Sequence, residues 1–264
     1  MVPDQRGIEP APRVLELVKQ TVLIGCAVLF YFAVRGQTEG AEATAIENGH
    51  WILARENDLG IDLERSMQSW TESSGLTTVA NWIYIWFHWP VIILTLLWLH
   101  HSRIATFLVL RNAMFVSGAI GLVIFVSLPV APPRLIDAGF VDTVTEQSTS
   151  YRLLQPPALV NKYAAMPSLH VGWNLLIGLA LLESSKRLPV RLFAVAGPIL
   201  MSLAVVVTAN HYILDGIAGA GIALIGLWVA RRITMPLVRL DQRIRLQRLR
   251  RLGEAADNSI SSAS

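Results

Sequence analysis

The sequence predicts an all-α, polytopic integral membrane protein with six transmembrane helices and an external amphipathic segment between the first two. Three observations predict it. Of 264 residues, 53% are hydrophobic and 16% charged, against about 25% charged in a typical soluble domain. The apolar residues gather in six stretches close to the roughly 20 residues that a helix needs to cross a bilayer. The basic residues concentrate in the short connections and the tail, which fall on one side of the membrane if the chain crosses six times.

Taken in order, residues 1–13 read as a cytoplasmic N-terminus, 14–230 as the membrane domain and 231–264 as a basic cytoplasmic tail. The first span, 14–34, is interrupted near its start by Glu16 and Lys19, and Arg35-Gly36-Gln37 is no small-residue cleavage site. It therefore reads as a retained anchor, not a cleaved signal. Cys26, the single cysteine, sits inside it and excludes an internal disulfide framework. The segment 35–75 carries Glu39, Glu42, Glu47, Glu56, Asp58, Asp62, Glu64 and Glu72 against Arg35, Arg55 and Arg65. Trp51, Ile52, Leu63, Met67 and Trp70 recur there at near-helical spacing, which predicts short amphipathic helices at the interface.

The remaining spans are 79–99, 104–128, 168–182, 191–209 and 211–230, the fourth reaching spanning length by continuing to Arg187. Trp82, Tyr84, Trp86, Phe87 and Trp89 crowd the outer half of the second span as an interfacial belt and packing surface. Pro90 and Gly197-Pro198 predict kinks. Gly216, Gly219, Gly221 and Gly226 have the wrong order for a dinucleotide loop and fit close helix packing. The connection 129–167, rich in Pro, Ser and Thr, predicts ordered loop. Residues 231–251 hold eight arginines and one acid, a basic amphipathic stretch suited to anionic lipid and not to nucleic acid. With Arg103 and Lys186-Arg187-Arg191, they put both termini in the cytoplasm and the two long loops outside. Arginine outnumbers lysine 19 to 3, which points to a GC-rich bacterial genome and a plasma-membrane location.

Three places carry chemistry. Ser168 precedes a helix as its N-cap, with His170 in the first turn. Asn210 is placed as the cap of the last span, and His211 stands four residues before Asp215, so the carboxylate can hold one ring nitrogen and leave the other as a base. In the derived orientation both helices start at the outer boundary, where the third span ends in Ala131-Pro132-Pro133-Arg134. Two helix N-termini and an arginine make an anion site, with phosphate the expected anion. The pattern predicts phosphoryl transfer through a phosphohistidine: His211 attacks phosphorus, His170 protonates the leaving oxygen, and Arg134 and Ser168 stabilise charge. His50, His88, His100 and His101 are assigned no catalysis, and no metal or cofactor site is expected; P-loop, CxxC and HExxH patterns do not occur.

Ala131-Pro132-Pro133-Arg134, Pro167-Ser168-Leu169-His170 and His211-Tyr212-Ile213-Leu214-Asp215 together resemble the three signature blocks of the type 2 phosphatidic acid phosphatase superfamily. The APPR and MPSLHVGW forms are similar to the branch that includes inositol phosphorylceramide synthases and their bacterial relatives. The resemblance, over roughly 76–230, implies a six-helix membrane fold, no metal, His211 as nucleophile oriented by Asp215, and His170 as acid. Two family cations are replaced, by Ser127 and Val205, and Lys162 and Arg152 in the outer loop are the candidate substitutes for phosphate binding. The expected activity is hydrolysis of a lipid phosphate or diphosphate at the outer face. Transfer of a phosphoinositol-type head group to a lipid acceptor is the alternative, and a non-enzymatic transporter or scaffold on the same fold is the second. The expected partners are the lipid substrate and the bilayer, with oligomeric state open.

Overall fold

The computed structural model describes residues 13–35, 41–144 and 162–261. Among them the chain forms eight helices: α1 (Arg13–Arg35), α2 (Glu42–Leu59), α3 (Glu64–Ser73), α4 (Thr77–Ser102), α5 (Ile104–Ser127), α6 (Leu169–Ser184), α7 (Leu188–Val207) and α8 (Ile213–Ser261). No strand occurs among the described residues; the nearest feature is a single parallel bridge between Val130 and Ala164. Four helices are long and apolar enough to cross a membrane: α4, α5, α7 and the Ile213–Leu240 part of α8. The 16-residue α6 is apolar but shorter. Helix α1 leans on α5, where Arg111 donates to the Gln20 side chain.

Proline chemistry shapes α4 and α7. Pro90 cannot donate to the carbonyl one turn before it, and its ring crowds that carbonyl. The helix answers with a π-helical turn at Ile83–Phe87, just N-terminal to the expected kink. In α7 the carbonyl of Ala194 loses its partner to Pro198, and α6 passes so close that a Cβ on Gly178 would collide with that same carbonyl. Small residues make the other crossings. Gly172 faces the backbone of Gly219 where α6 meets α8, and Gly226 faces the carbonyl of Ala113 where α8 meets α5. Of the four glycines in α8, then, Gly219 and Gly226 serve close packing. Gly221 borders open space, and Gly216 makes ordinary contacts with Val171. Leu99, Phe107, Leu110, Ala113, Leu176 and Ala223 form the core where these helices converge.

Helices α2 and α3 fold over the end of the bundle where α6 and α8 begin. Their orientation differs from the simplest amphipathic reading. The face turned inward carries Ala45, Gly49, Ile52 and Glu56 on α2 and Glu64, Gln68 and Thr71 on α3. Trp51, Leu63 and Trp70 point away, each more than half exposed. The loop after α5 is held from below: the amide of Ala131 donates to the Ala45 carbonyl at 2.9 Å, and Asn48 donates to the Pro129 carbonyl at 2.8 Å. Over its described parts the long connection is mostly irregular and includes a 3-10 turn at Pro133–Leu135. The last span does not end at residue 230. Helix α8 continues unbroken through the basic stretch to Ser261, with Pro236 inside it.

Candidate active site

Helix α7 ends in a tight turn that delivers His211. The carbonyl of Val205 accepts from the amides of Asn210 (3.0 Å) and His211 (3.1 Å), and Ala209 takes a left-handed conformation with φ 53°. Asn210 does not cap α8. Its side chain donates back to the Thr208 carbonyl and hydroxyl at 3.2 and 2.8 Å, closing the end of α7. Helix α8 starts three residues later, at Ile213. Its cap is Asp215 reaching back: the amide of Tyr212 donates to Asp215 Oδ2 at 3.0 Å, the acid half of a capping box.

His211 Nδ1 lies 2.8 Å from the Ala165 carbonyl and 3.3 Å from Asp215 Oδ2. A carbonyl only accepts, so Nδ1 bears the hydrogen and Nε2 of the neutral ring bears the lone pair. The imidazole is 6% exposed and Asp215 is fully buried. Two acceptors on one N–H fix the tautomer more firmly than the carboxylate by itself.

The expected anion cradle needs a correction at α8. The amide of Ile213 donates to Glu64 Oε1 at 2.9 Å and that of Leu214 to Glu56 Oε1 at 2.7 Å. Two buried carboxyls from α3 and α2 thus occupy the helix start that the sequence reading offered to phosphate. Burial, together with the neighbouring Glu64, pushes the Glu56 carboxyl up to about 9. Raised that far, the Glu56 carboxyl keeps its proton at neutral pH and adds no charge of its own beside Asp215. Neither glutamate was singled out from sequence; their alignment with buried Ile52 and Gln68 on the inner faces of α2 and α3 was the available signal.

On α6, Ser168 is the N-cap, accepting from the Val171 amide at 3.5 Å, and its own amide donates to the Asp215 carbonyl at 2.9 Å. That bond ties the start of α6 to the first turn of α8. His170 and His211 end with ring centroids 5.7 Å apart. His170 also packs against Tyr84 at 4.8 Å and against His88 at 4.4 Å. His88, assigned no role from sequence, is therefore the ring closest to His170 among these three. An imidazole inside an apolar span was the signal that could have found it.

Arg134 reaches the turn through its backbone, its amide donating to the Ala209 carbonyl at 3.0 Å. Its guanidinium is paired with Asp142, Nε to Oδ2 3.4 Å, with the side chain 8% exposed. Asp142 is set by two clasps. Gln68 exchanges hydrogen bonds with the backbone of Val141 at 2.8 and 3.0 Å, and Asn81 bonds both carbonyl and hydroxyl of Thr143 at 3.0 and 3.2 Å. Lys162 is exposed on the loop before α6, and Arg152 lies outside the described residues. At the two positions of the replaced family cations, Ser127 donates to the Val123 carbonyl on the rim of α5, and Val205 is buried. Among the described residues no three His, Cys, Asp or Glu side chains are grouped to hold a metal ion.

A bundle of membrane-length helices with a carboxylate-held histidine at one end defines a membrane protein built around a histidine site. A family profile described as the PAP2 superfamily matches residues 50–229, and the chain belongs to that superfamily. Its members are generally phosphatases or phosphotransferases, and membership points to phosphatase-type action on lipid phosphates. No curated protein and no solved structure matches the chain.

Proposed function

We propose that this protein hydrolyses a lipid phosphate or diphosphate at the outer face of the plasma membrane, through a phosphohistidine formed on His211. One observation carries the reading: His211 Nδ1–H is committed to Ala165 and Asp215, so the nucleophilic lone pair lies on Nε2, with His170 as the neighbouring ring. The Nε2 lone pair attacks phosphorus, the phosphorus–oxygen ester bond breaks, and the departing alkoxide takes a proton from His170. Water then attacks the phosphoimidazole and gives its proton to His170, releasing phosphate and restoring both rings. Asp215 stabilises the positive charge that His211 acquires, and Arg134 with Ser168 serves the phosphate oxygens, Lys162 assisting from the loop. No metal takes part in this scheme.

A lipid substrate is supported by the surroundings. An apolar recess of about 380 Å³ is lined by Thr78, Val79, Trp82, Ile83, Trp86 and Phe87. It shares the π-helical turn with Tyr84, which touches His170. A tail lying there would keep its head at the histidines. The topology belongs to the same proposal: α1 and α6 join the four longer helices as spans, residues 35–75 lie outside, and the basic tail lies in the cytoplasm. Placement in the inositol phosphorylceramide synthase-like branch, with a lipid alcohol in place of water, rests on the motif forms alone.

The test is a full-length detergent preparation mixed with a radiolabelled lipid phosphate and quenched in alkali, where phosphohistidine survives and phosphoserine esters are distinguished by acid. Wild-type protein should carry label, His211→Ala none, and released phosphate should match lipid consumed without added alcohol. Label retained in the His211 variant overturns the mechanism. Turnover that requires a lipid alcohol and conserves the phosphoester selects transfer over hydrolysis.

A further inference from the structure

We propose that His88 is a positioning residue for His170: its ring, held by Asn174, is a neutral shelf that presents the His170 imidazole to the reacting phosphate and leaves the transferable proton to His170. The inference rests on the reading of His170 as proton donor given above.

His88 lies on α4, is 4% exposed, and is surrounded by Trp89 and Trp173 as well as His170. A buried imidazole is costly unless its nitrogens are satisfied, and the partner here is informative. Asn174 Nδ2 sits 2.8 Å from the His170 backbone carbonyl. Because that carbonyl can only accept, the atom facing it is the amide nitrogen, which settles the orientation of the amide. The same nitrogen lies 3.0 Å from His88 Nδ1. Nδ1 must therefore be the lone-pair nitrogen, and the His88 proton sits on Nε2. Protonating Nδ1 would aim one N–H at another.

The consequence reaches His170. With centroids 4.4 Å apart, imidazolium at His88 would repel imidazolium at His170 across a site of low dielectric. Asn174 opposes that state by geometry. In the row His88, His170, His211, the Nδ1 proton of His211 is committed to Ala165 and Asp215, and His88 is kept neutral. The rings on either side of His170, the proposed donor, are thus held in fixed protonation states. Tyr84 and His88 also bracket it from α4, centroids 4.8 and 4.4 Å away, as a π-surface favourable to a cation.

A donor of this kind matters in proportion to how badly the leaving group needs a proton. The full chain in detergent should be offered two phosphates with the same lipid tail, an alkyl ester and an aryl ester whose phenolate departs unaided. His170→Ala should lose about 10²-fold or more on the alkyl ester and far less on the aryl ester. His88→Leu, which keeps volume and loses the ring, should show the same selectivity at about 10-fold, in kcat and not in KM. His88→Phe, neutral and aromatic, should stay within about 3-fold of wild type. Asn174→Leu should impair the alkyl ester by freeing the His88 ring to turn and change tautomer, and His88→Phe added to it should restore turnover, a coupling that simple packing does not produce. Equal losses on both esters in His88→Leu, or no rescue in the double variant, would overturn the inference while leaving the proposed function standing. Absence of leaving-group dependence in His170→Ala would instead overturn the donor reading itself.

Discussion

The side chain of Glu56 accepts a hydrogen bond at 2.7 Å from the amide of Leu214, 158 residues later in the chain. With the Glu64 bond to Ile213, it locks the segment between α1 and α4 onto the turn that bears His211 and Asp215. The segment is thereby part of the site's support.

That lock predicts a pH dependence of stability. Glu56 is raised from its ordinary 4.5 to about 9 by burial and by Glu64. The folded protein thus binds a proton that the unfolded chain releases above about 4.5. The resulting stabilisation is complete below that pH, declines as pH rises, and is lost once pH passes about 9. Thermal unfolding should therefore fall between pH 6 and 9. Glu56→Gln, which keeps the acceptor for Leu214, should flatten that decline and raise stability near pH 9. An equal slope in wild type and variant would refute the assignment.

Arg134 offers a second test, because its guanidinium is already engaged by Asp142. Arg134→Lys keeps the charge and loses the fork that can bridge Asp142 and two phosphate oxygens. A loss of about 10²-fold in kcat/KM is expected, near that of one electrostatic donor. Asp142→Asn should be milder and act mainly on KM, by loosening the arginine. Steady-state kinetics on one lipid phosphate check both, and a silent Arg134→Lys would remove this residue from the phosphate cradle.

Gly219→Ala should unfold the protein more readily than its size suggests. A Cβ there would collide with the backbone carbonyl of Ser168, the residue that joins the start of α6 to α8. Overpacking of this kind costs about 1–3 kcal/mol. Gly221→Ala, facing open space, is the matched control and should be neutral or slightly stabilising. Detergent-solubilised melting curves separate them.

Sidedness is testable with single cysteines in a Cys26→Ser background. Asp137, exposed in the loop after α5, is a better site than Gly139, whose φ of 76° disfavours a side chain. A membrane-impermeant maleimide should label Asp137→Cys on intact cells and should reach Ser259→Cys only after lysis. Reversed labelling would turn the site toward the cytoplasm.

By itself the sequence determined what local pattern and composition can encode. Apolar runs of spanning length mark α4, α5, α7 and α8, because membrane burial is set by each segment's own composition. The spacing of His211 and Asp215, and the Pro-Ser turn before His170, were equally legible, since capping and i, i+4 contacts are local. Even here boundaries moved: Asp215 caps α8, and Asn210 closes α7. Only the tertiary structure decided which distant groups meet. Glu56 and Glu64 read as two more acids in an acidic loop until folding placed them on α8. His88 read as a histidine with no part in catalysis until α4 packed against α6. Arg134 read as an open cradle until Gln68 and Asn81 fixed Asp142 beside it. Such contacts depend on helix rotation and depth within the bundle, which small residues at the crossings set together, so no window of sequence contains them.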